Sequence, residues 1–467
     1  MFEQPRWSKG SAFSLVAGVV WISQVASLGL FASIPFWILG SGFLAAGVSQ
    51  LLWPGDDRIA HTQAIAGVLG SLVALPTLFF MGFGTFLLLL ASALAAAWGA
   101  GRIAIELEPH YENVPVPEPT FQLFAKVAID EAILGFEQFV STGFALDGTL
   151  ERVIDEVGQT HARFESEGFL EKPANYHQTP PELLDPEIQI RNVGAQPVEF
   201  LRFESGYAPR EGEAGRDRWL GYEPCRDGRA YVLRHPGAPR PWMICTNGYR
   251  MGHARIDVGI FDRFHHRLGL NVVIPVLPLH GPRRIGRQSG SGFIGIDVID
   301  TLHAEAQSIW DMRRLLSWVR AQDAPAVGAL GLSLGGYTTA VFASIADGLS
   351  CAIPGIPLAD FTRMLDRHAS QNQMRYAETK GYDLDRVYEI LRVVAPLVLE
   401  PKVPLEGRMI FGATADRLVA PDHVRDLWRH WDEPAIVWYH GAHVTFAFER
   451  SVWAGVDRTL RENGVFV

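Results

Sequence analysis

Apolar positions fall into two regimes along the chain. No Asp, Glu, Lys or Arg occurs between Lys9 and Asp56, and none between Arg58 and Arg102. A helix needs roughly 20 apolar residues to cross the hydrocarbon layer of a bilayer, so each uncharged stretch can cross twice. "SAFSLVAGVVWISQVASLGLF" and "PFWILGSGFLAAGVSQLLW" predict a first helical hairpin that turns near Ser33 to Pro35. "TQAIAGVLGSLVALPTLFF" and "GTFLLLLASALAAAWG" predict a second, turning near Met81 to Gly84. The segments show no polar face, unlike a soluble bundle, and they outrun the apolar region of about 7 to 15 residues in a cleaved signal peptide. Recurrent Gly, Ala and Ser suit close helix packing in lipid. Residues 1–102 are therefore expected to be a transmembrane domain of four helices, with two or three crossings as the alternative.

Beyond Arg102 the pattern changes. "ELEPHYENVPVPEPT" carries four prolines and four glutamates and reads as a stiff exposed linker. "FQLFAKVAIDEAILGFEQFV" follows with Lys126, Asp130, Glu131 and Glu137 clustered on one side of a helix and a broad apolar side opposite. That helix packs on the following domain or lies along the bilayer surface. "TLERVIDEVGQTHARFES" repeats helical spacing through Leu150, Val153, Ile154 and Val157, and "EKPANYHQTPPELLDPE" reads as a loop. Residues 103–195 form this linker and helical connecting region.

From about residue 196 short β-rich runs alternate with helical ones, as a mostly parallel sheet requires. "VEFLRFES" and "AYVLRHP" are early strands; "PWMICTNG" and "NVVIPVLP" are buried strands flanking a helix near 255–268. "TLHAEAQSIWDMRRLLSWVRAQ" is a long amphipathic helix, and "AVGALGL" is the strand after it. Ser333 stands where that strand must become the helix "LGGYTTAVFASIA". So sharp a turn strains the serine backbone and projects its hydroxyl, and the neighbours two before and two after must be small, as Gly331 and Gly335 are.

A serine hydroxyl is a poor nucleophile until a base takes its proton, and the base needs an acid to orient it. Downstream, "GRMIFGATADRLVAP" reads as a strand ending in Asp416, and "AIVWYHGAHVTF" as the last strand followed by His443. Asp360 in "IPLADF" is an alternative acid, with Asp416 then a helix cap, and His440 an alternative base. With "GLSLGG", "GATADRLVAP" and "HGAHVTF" in this order, the chain resembles the α/β-hydrolase superfamily over residues 196–467. The resemblance implies an α/β-hydrolase fold with a mostly parallel central sheet, and a catalytic triad of Ser333, Asp416 and His443. It also implies an oxyanion hole from the backbone N–H of Leu334 and, in "TNGYRMG", that of Tyr249. Family members usually carry His-Gly at this turn; here it is Asn247-Gly248, and the His-Gly of "LPLHG" at 277–281 is an alternative. Residues of about 359–400 form an insertion of the kind that caps the substrate pocket in this superfamily.

Arg283, Arg284 and Arg287 in "HGPRRIGR" are candidates for holding a phosphate or carboxylate, the alternative being solvated surface. "GSGFIG" matches Gly-x-Gly-x-x-Gly but follows a polar loop, and His265-His266 has no ligand partners at metal-site spacing, so neither a cofactor nor a metal is expected. A formal charge of −10 gives no reason to expect nucleic acid. Three scattered cysteines argue against a disulfide framework. Arg6, Lys9, Arg58 and Arg102 fall on one face for an even number of crossings, which places that face and the remaining chain in the cytoplasm. These features predict a multi-pass membrane serine hydrolase that cleaves a carboxylic ester, with a lipid or acyl compound from the bilayer as substrate. Acyl transfer by the same triad, or an inactive hydrolase fold serving as a membrane scaffold, are the alternatives.

Overall fold

The structure, a computed structural model, describes residues 7–140 and 147–466. It divides into two compact units: the N-terminal part with Ala413–Asp422 and Trp438–Glu449, and the remainder of the chain.

The first unit contains α1 (Gly10–Ser23), α2 (Leu30–Leu52), α3 (Asp57–Phe80) and α4 (Phe83–Leu107), and α1 is prolonged by a single 3₁₀ turn to Ser27. With that turn counted, all four are long and apolar enough to cross a membrane. Outward-facing rings such as Phe31, Phe79 and Phe80 are 83%, 81% and 85% exposed, which suits contact with lipid and not with water. Inside, Trp21, Phe36 and Phe43 pack against Ala93 and Ala96. Two polar side chains reach the backbone carbonyls of other helices: Ser14 donates to Phe43 O at 2.8 Å, and Gln63 Nε2 donates to Gly10 O at 3.1 Å and Ala96 O at 2.8 Å. Gly10 and Gly99 face each other so closely that a Cβ on either would strike the other's carbonyl.

The second hairpin turns at Met81 and Gly82 as its sequence implies. The first does not turn at Ser33 to Pro35. The break runs from Gln24 to Gly29, and Pro35 sits inside α2. Gly29, extended at φ −67°, ψ 161°, is the residue that starts the helix. Pro35 lies near the helix start, so it removes one backbone bond and does not end the helix. Helix α5 (Phe121–Val140) completes this unit, with Leu123 and Val127 packed on Ala104 of α4 and on Ala415 and Ala442.

The second unit opens with α6 (Asp147–Ser166) and is built around a sheet of order β1-β2-β3-β5-β4-β6-β7-β8-β9. β1 (Glu187–Val193), β2 (Gln196–Glu204) and β3 (Asp227–Leu233) form an antiparallel meander, with β3 antiparallel to β5 (Asn271–Val276). β4 (Trp242–Thr246), β6 (Val327–Leu332) and β7 (Cys351–Gly355) run parallel with β5, and β8 (Met409–Ala413) and β9 (Ala435–Tyr439) extend the sheet. β4 to β8 are buried along their whole length, the burial expected of central strands covered on both faces. The sheet begins earlier than the first expected strand: "EIQIRNV" forms β1, an exposed edge strand turned back on β2 through Gly194 at φ +66°.

Between the strands run α7 (Arg216–Leu220), α8 (Ala254–His266), α9 (Val298–Arg320) and α10 (Leu334–Ile345), and α14 (Pro421–His430) and α15 (Arg450–Glu462) follow β8 and β9. The segment from β7 to β8 folds as α11 (Phe361–His368), α12 (Gln371–Thr379) and α13 (Leu384–Leu391). Each of these three starts at a side-chain cap: Asp360, Ser370 in a capping box with Gln373, and Asp383. This order of strands, with a nucleophile-type turn after β6, is the α/β-hydrolase fold.

One buried acid joins α9 to α10. Glu305 Oε2 accepts from Thr338 Oγ1 at 3.0 Å, and burial pushes its carboxyl up to about 8. The folded state therefore keeps this proton to higher pH than the unfolded chain does. The stability it contributes is complete below about pH 4.5 and declines as pH rises toward about 8. Glu305→Gln should flatten the fall of the thermal midpoint across that window, measured by scanning calorimetry of the detergent-solubilised protein; an unchanged slope would contradict the account of Glu305.

Candidate active site

The nucleophile turn is built from β6 and α10. Ser333 lies between them at φ 58°, ψ −117°, a conformation that costs a non-glycine residue on the order of 1–3 kcal/mol. Three backbone bonds hold it there: its N–H donates to Gly355 O at 2.9 Å, and its carbonyl accepts from Tyr337 at 3.1 Å and Leu358 at 3.3 Å. A Cβ on Gly331 would strike Gly335 O, and one on Gly335 would strike Thr246 O and lie 2.6 Å from Asn247 O. Both small residues are thus required by backbone on the far side. Ser333 remains partly exposed while its neighbours are buried.

The turn after β4 passes beside the serine. A Cβ on Gly248 would lie 3.3 Å from Ser333 Cβ and 3.8 Å from its Oγ. Tyr249 follows, with the Arg250 guanidinium 4.6 Å from its ring centre and the His280 ring edge-on at 6.1 Å. Leu334 opens α10, so its N–H has no acceptor within the helix. In the loop 277–281, His280 is buried with Nδ1 bonded to Pro278 O, and burial pulls its imidazole down to about 4.

The three arginines separate. Arg283 is not open to a phosphate or carboxylate ligand, contrary to the expectation from sequence. It is buried, donating to Val276 O at 2.8 Å, Cys225 O at 3.2 Å and Asp311 at 2.8 Å, and Asp311 in turn accepts from Ser205 at 2.6 Å. A buried guanidinium whose two terminal nitrogens are bonded to a carboxylate and two carbonyls is a structural tie, not a ligand contact. Arg284 and Arg287 are exposed, and Arg284 lines a groove of about 400 Å³ together with Arg191, Arg202 and Arg229.

Asp416 and His443, the acid and base expected from sequence, belong to the other unit. Asp416 follows β8 and His443 begins a 3₁₀ segment after β9 (His443–Phe448). Asp416 Oδ2 meets His443 Nδ1 at 2.6 Å, while Oδ1 accepts the N–H groups of Leu418 at 3.0 Å and Val419 at 2.8 Å. Burial pulls the His443 imidazole down, but the Asp416 charge and hydrogen bond, with Asp130 beyond, outweigh it and hold the group above the ordinary histidine value. His440 is exposed, with Nδ1 near Thr414 Oγ1 at 3.4 Å. Asp360, the alternative acid, caps α11 through Thr362 and Arg363.

The side chains missed from sequence are Asp130 and Arg417. Asp130 and Glu131 are fully buried, not on a solvated face. Asp130 Oδ2 accepts the His443 N–H at 2.8 Å and the Arg417 N–H at 3.1 Å. Arg417 Nε donates to Glu131 at 2.8 Å, and its guanidinium also pairs with Glu108. Lys126, on the same helix, bonds to His440 O at 3.0 Å and to Glu449. The signal available in sequence was four charges clustered along one helix, a pattern that solvated faces share.

No family model matches the chain. Among curated proteins it is similar to two from Mycobacterium tuberculosis, "Uncharacterized protein MT2702" of strain CDC 1551 / Oshkosh and "Uncharacterized protein Rv2627c" of strain ATCC 25618 / H37Rv. Each is 40% identical over 361 residues, covering 76% of this chain and 86% of the relative. Among solved structures it is similar to an acetyl xylan esterase from Paenibacillus sp. R4, at 12% identity and a TM-score of 0.45 over 66% of this chain and 95% of that one. Acetyl xylan esterase 1 from Thermoanaerobacterium sp. JW/SL YS485 is also similar, at 14% identity and a TM-score of 0.44 over 64% and 93%. The nucleophile turn, the order of strands around it and the extended match to the mycobacterial sequences lead to one statement: the chain, an α/β-hydrolase by fold, belongs to the family of these Mycobacterium tuberculosis proteins.

Proposed function

We propose that the protein is a membrane-embedded serine hydrolase that cleaves a carboxylic ester through an acyl-enzyme, with Ser333, His443 and Asp416 as its triad. The observation that carries this reading is the strained backbone of Ser333 at the β6–α10 turn, supported by the short Asp416–His443 bond. In the proposed reaction Ser333 Oγ attacks the acyl carbon as His443 Nε2 takes its proton. The carbonyl oxygen becomes an oxyanion that accepts from the N–H groups of Leu334 and Tyr249. On collapse, His443 returns the proton to the departing alkoxide and the C–O bond breaks. Water then repeats the sequence on the acyl-serine, releasing the acid. Asp416 keeps the Nδ1–H tautomer in place and stabilises the imidazolium without itself being protonated.

The four apolar helices support a substrate drawn from the bilayer, such as an acyl lipid, and a cytoplasmic placement of the second unit. Exposed Arg284 and Arg287 are the candidates for contacting an anionic group on it.

A fluorophosphonate probe should label the detergent-solubilised wild type on Ser333, and Ser333→Ala should abolish labelling. A folded wild type that takes no label would contradict the catalytic reading. Because the base must be neutral, ester turnover should fall as pH drops through the raised value of His443, giving an acid limb centred above about pH 6.5. Asp416→Asn removes both the charge and the correct tautomer. It should lower turnover on the order of 10⁴-fold and move the acid limb to lower pH. A pH–rate profile coinciding with wild type would remove Asp416 from the mechanism.

A further inference from the structure

One carboxylate oxygen carried by α5 binds two loops that are separated by a helix and a strand. Asp130 Oδ2 accepts the backbone N–H of Arg417, directly after the acid, and of His443, the base itself. We propose that Asp130 is a positioning residue that fixes the Asp416–His443 pair by holding both loops on a single acceptor, an inference that rests on the hydrolase reading above.

Geometry gives Asp130 little other employment. It is fully buried, and its Oδ1 has no hydrogen-bond partner among the described residues. Arg417, whose amide Asp130 accepts, directs its side chain to Glu131 and Glu108. Tyr439 closes the far side of the base loop, its hydroxyl donating to Ala442 O at 3.1 Å and His443 O at 3.2 Å. The loop that carries the imidazole is thus held at its N–H by Asp130 and at its carbonyls by Tyr439. Neither contact uses the imidazole, so the ring stays free to bond Asp416 through Nδ1.

Charge links the same residue to catalysis. Burial pushes the Asp130 carboxyl up to about 7, the Asp416 charge adds to the rise, and His443 with the two amides opposes it. Its negative form in turn contributes to holding His443 above the ordinary value. Asp130 therefore acts on the base in two ways, by place and by charge, and the two can be separated. Asn keeps an acceptor oxygen of the same shape and removes the charge. Leu fills a similar volume and removes both.

The test measures pH–rate profiles for hydrolysis of a p-nitrophenyl acyl ester by the full-length protein in detergent, beside Ser333→Ala. Asp130→Asn should retain the greater part of the plateau rate while its acid limb moves to lower pH. Asp130→Leu should lose on the order of tenfold to a hundredfold in kcat, the cost of a misplaced catalytic group, with KM within about twofold. A profile for Asp130→Asn that coincides with wild type overturns the proposal, whether or not Asp130→Leu folds. If wild type shows no hydrolysis above Ser333→Ala, the hydrolase reading fails and the imidazole is followed directly by ¹⁵N NMR of histidine-labelled protein. A His443 titration displaced downward in Asp130→Asn then supports the positioning contact, and an unmoved one overturns it.

Discussion

The bond between Asp416 and His443 depends on a constraint it does not itself supply: two loops must keep a fixed separation although their key side chains are 27 positions apart in the chain, with a helix and a strand between them. Asp416 is committed on one oxygen to the amides of Leu418 and Val419, which leaves the other oxygen in a single direction. His443 must meet it there. Adjacent strand ends bring the loops close, with Thr414 N–H on Tyr439 O at 3.0 Å and Ala415 N–H on Gly441 O at 3.1 Å. The buried carboxylate of Asp130 then ties the amides that follow. A buried charge without such bonds would be costly to retain, so the acceptor and the two loops stabilise one another.

A related constraint bears on the four helices that are long and apolar enough to cross a membrane. In a bilayer no water is present to satisfy stray polar groups. Gln63 and Ser14 accordingly donate to carbonyls of neighbouring helices, and Gly10 and Gly99 permit the close approach that makes those bonds reachable. This packing continues through Ala104 into Leu123 and Val127 of α5, the helix that presents Asp130. The unit that carries the apolar helices also carries Asp416 and His443, whereas Ser333 belongs to the other.

What could be read in the sequence follows the range of the forces involved. Ser333 was legible because its demands are local: a strand, a strained corner and two glycines whose absent side chains make room for nearby backbone. Asp416 and His443 were legible from their order and their place after strands. The turn of the first hairpin was not, since Pro35 is tolerated near a helix start and Gly29 is the residue that matters. β1 escaped because an exposed edge strand with mixed polarity resembles a loop. Asp130 and Arg283 share a deeper reason. A charged side chain reads as solvated until its distant partner is known, and the partners here are the amides at 417 and 443 and the carboxylate of Asp311. Long-range pairing of buried charge leaves almost no trace in local pattern.

The proposed reaction requires Ser333 and His443 to act as one device. A double-mutant cycle on ester turnover tests this most directly, comparing Ser333→Ala, His443→Ala and the two combined. Residues that work as a unit lose their whole contribution when either is removed, so the double variant should be no slower than the slower single one. Losses that multiply in the double variant, or a His443→Ala protein as fast as wild type, would contradict the account.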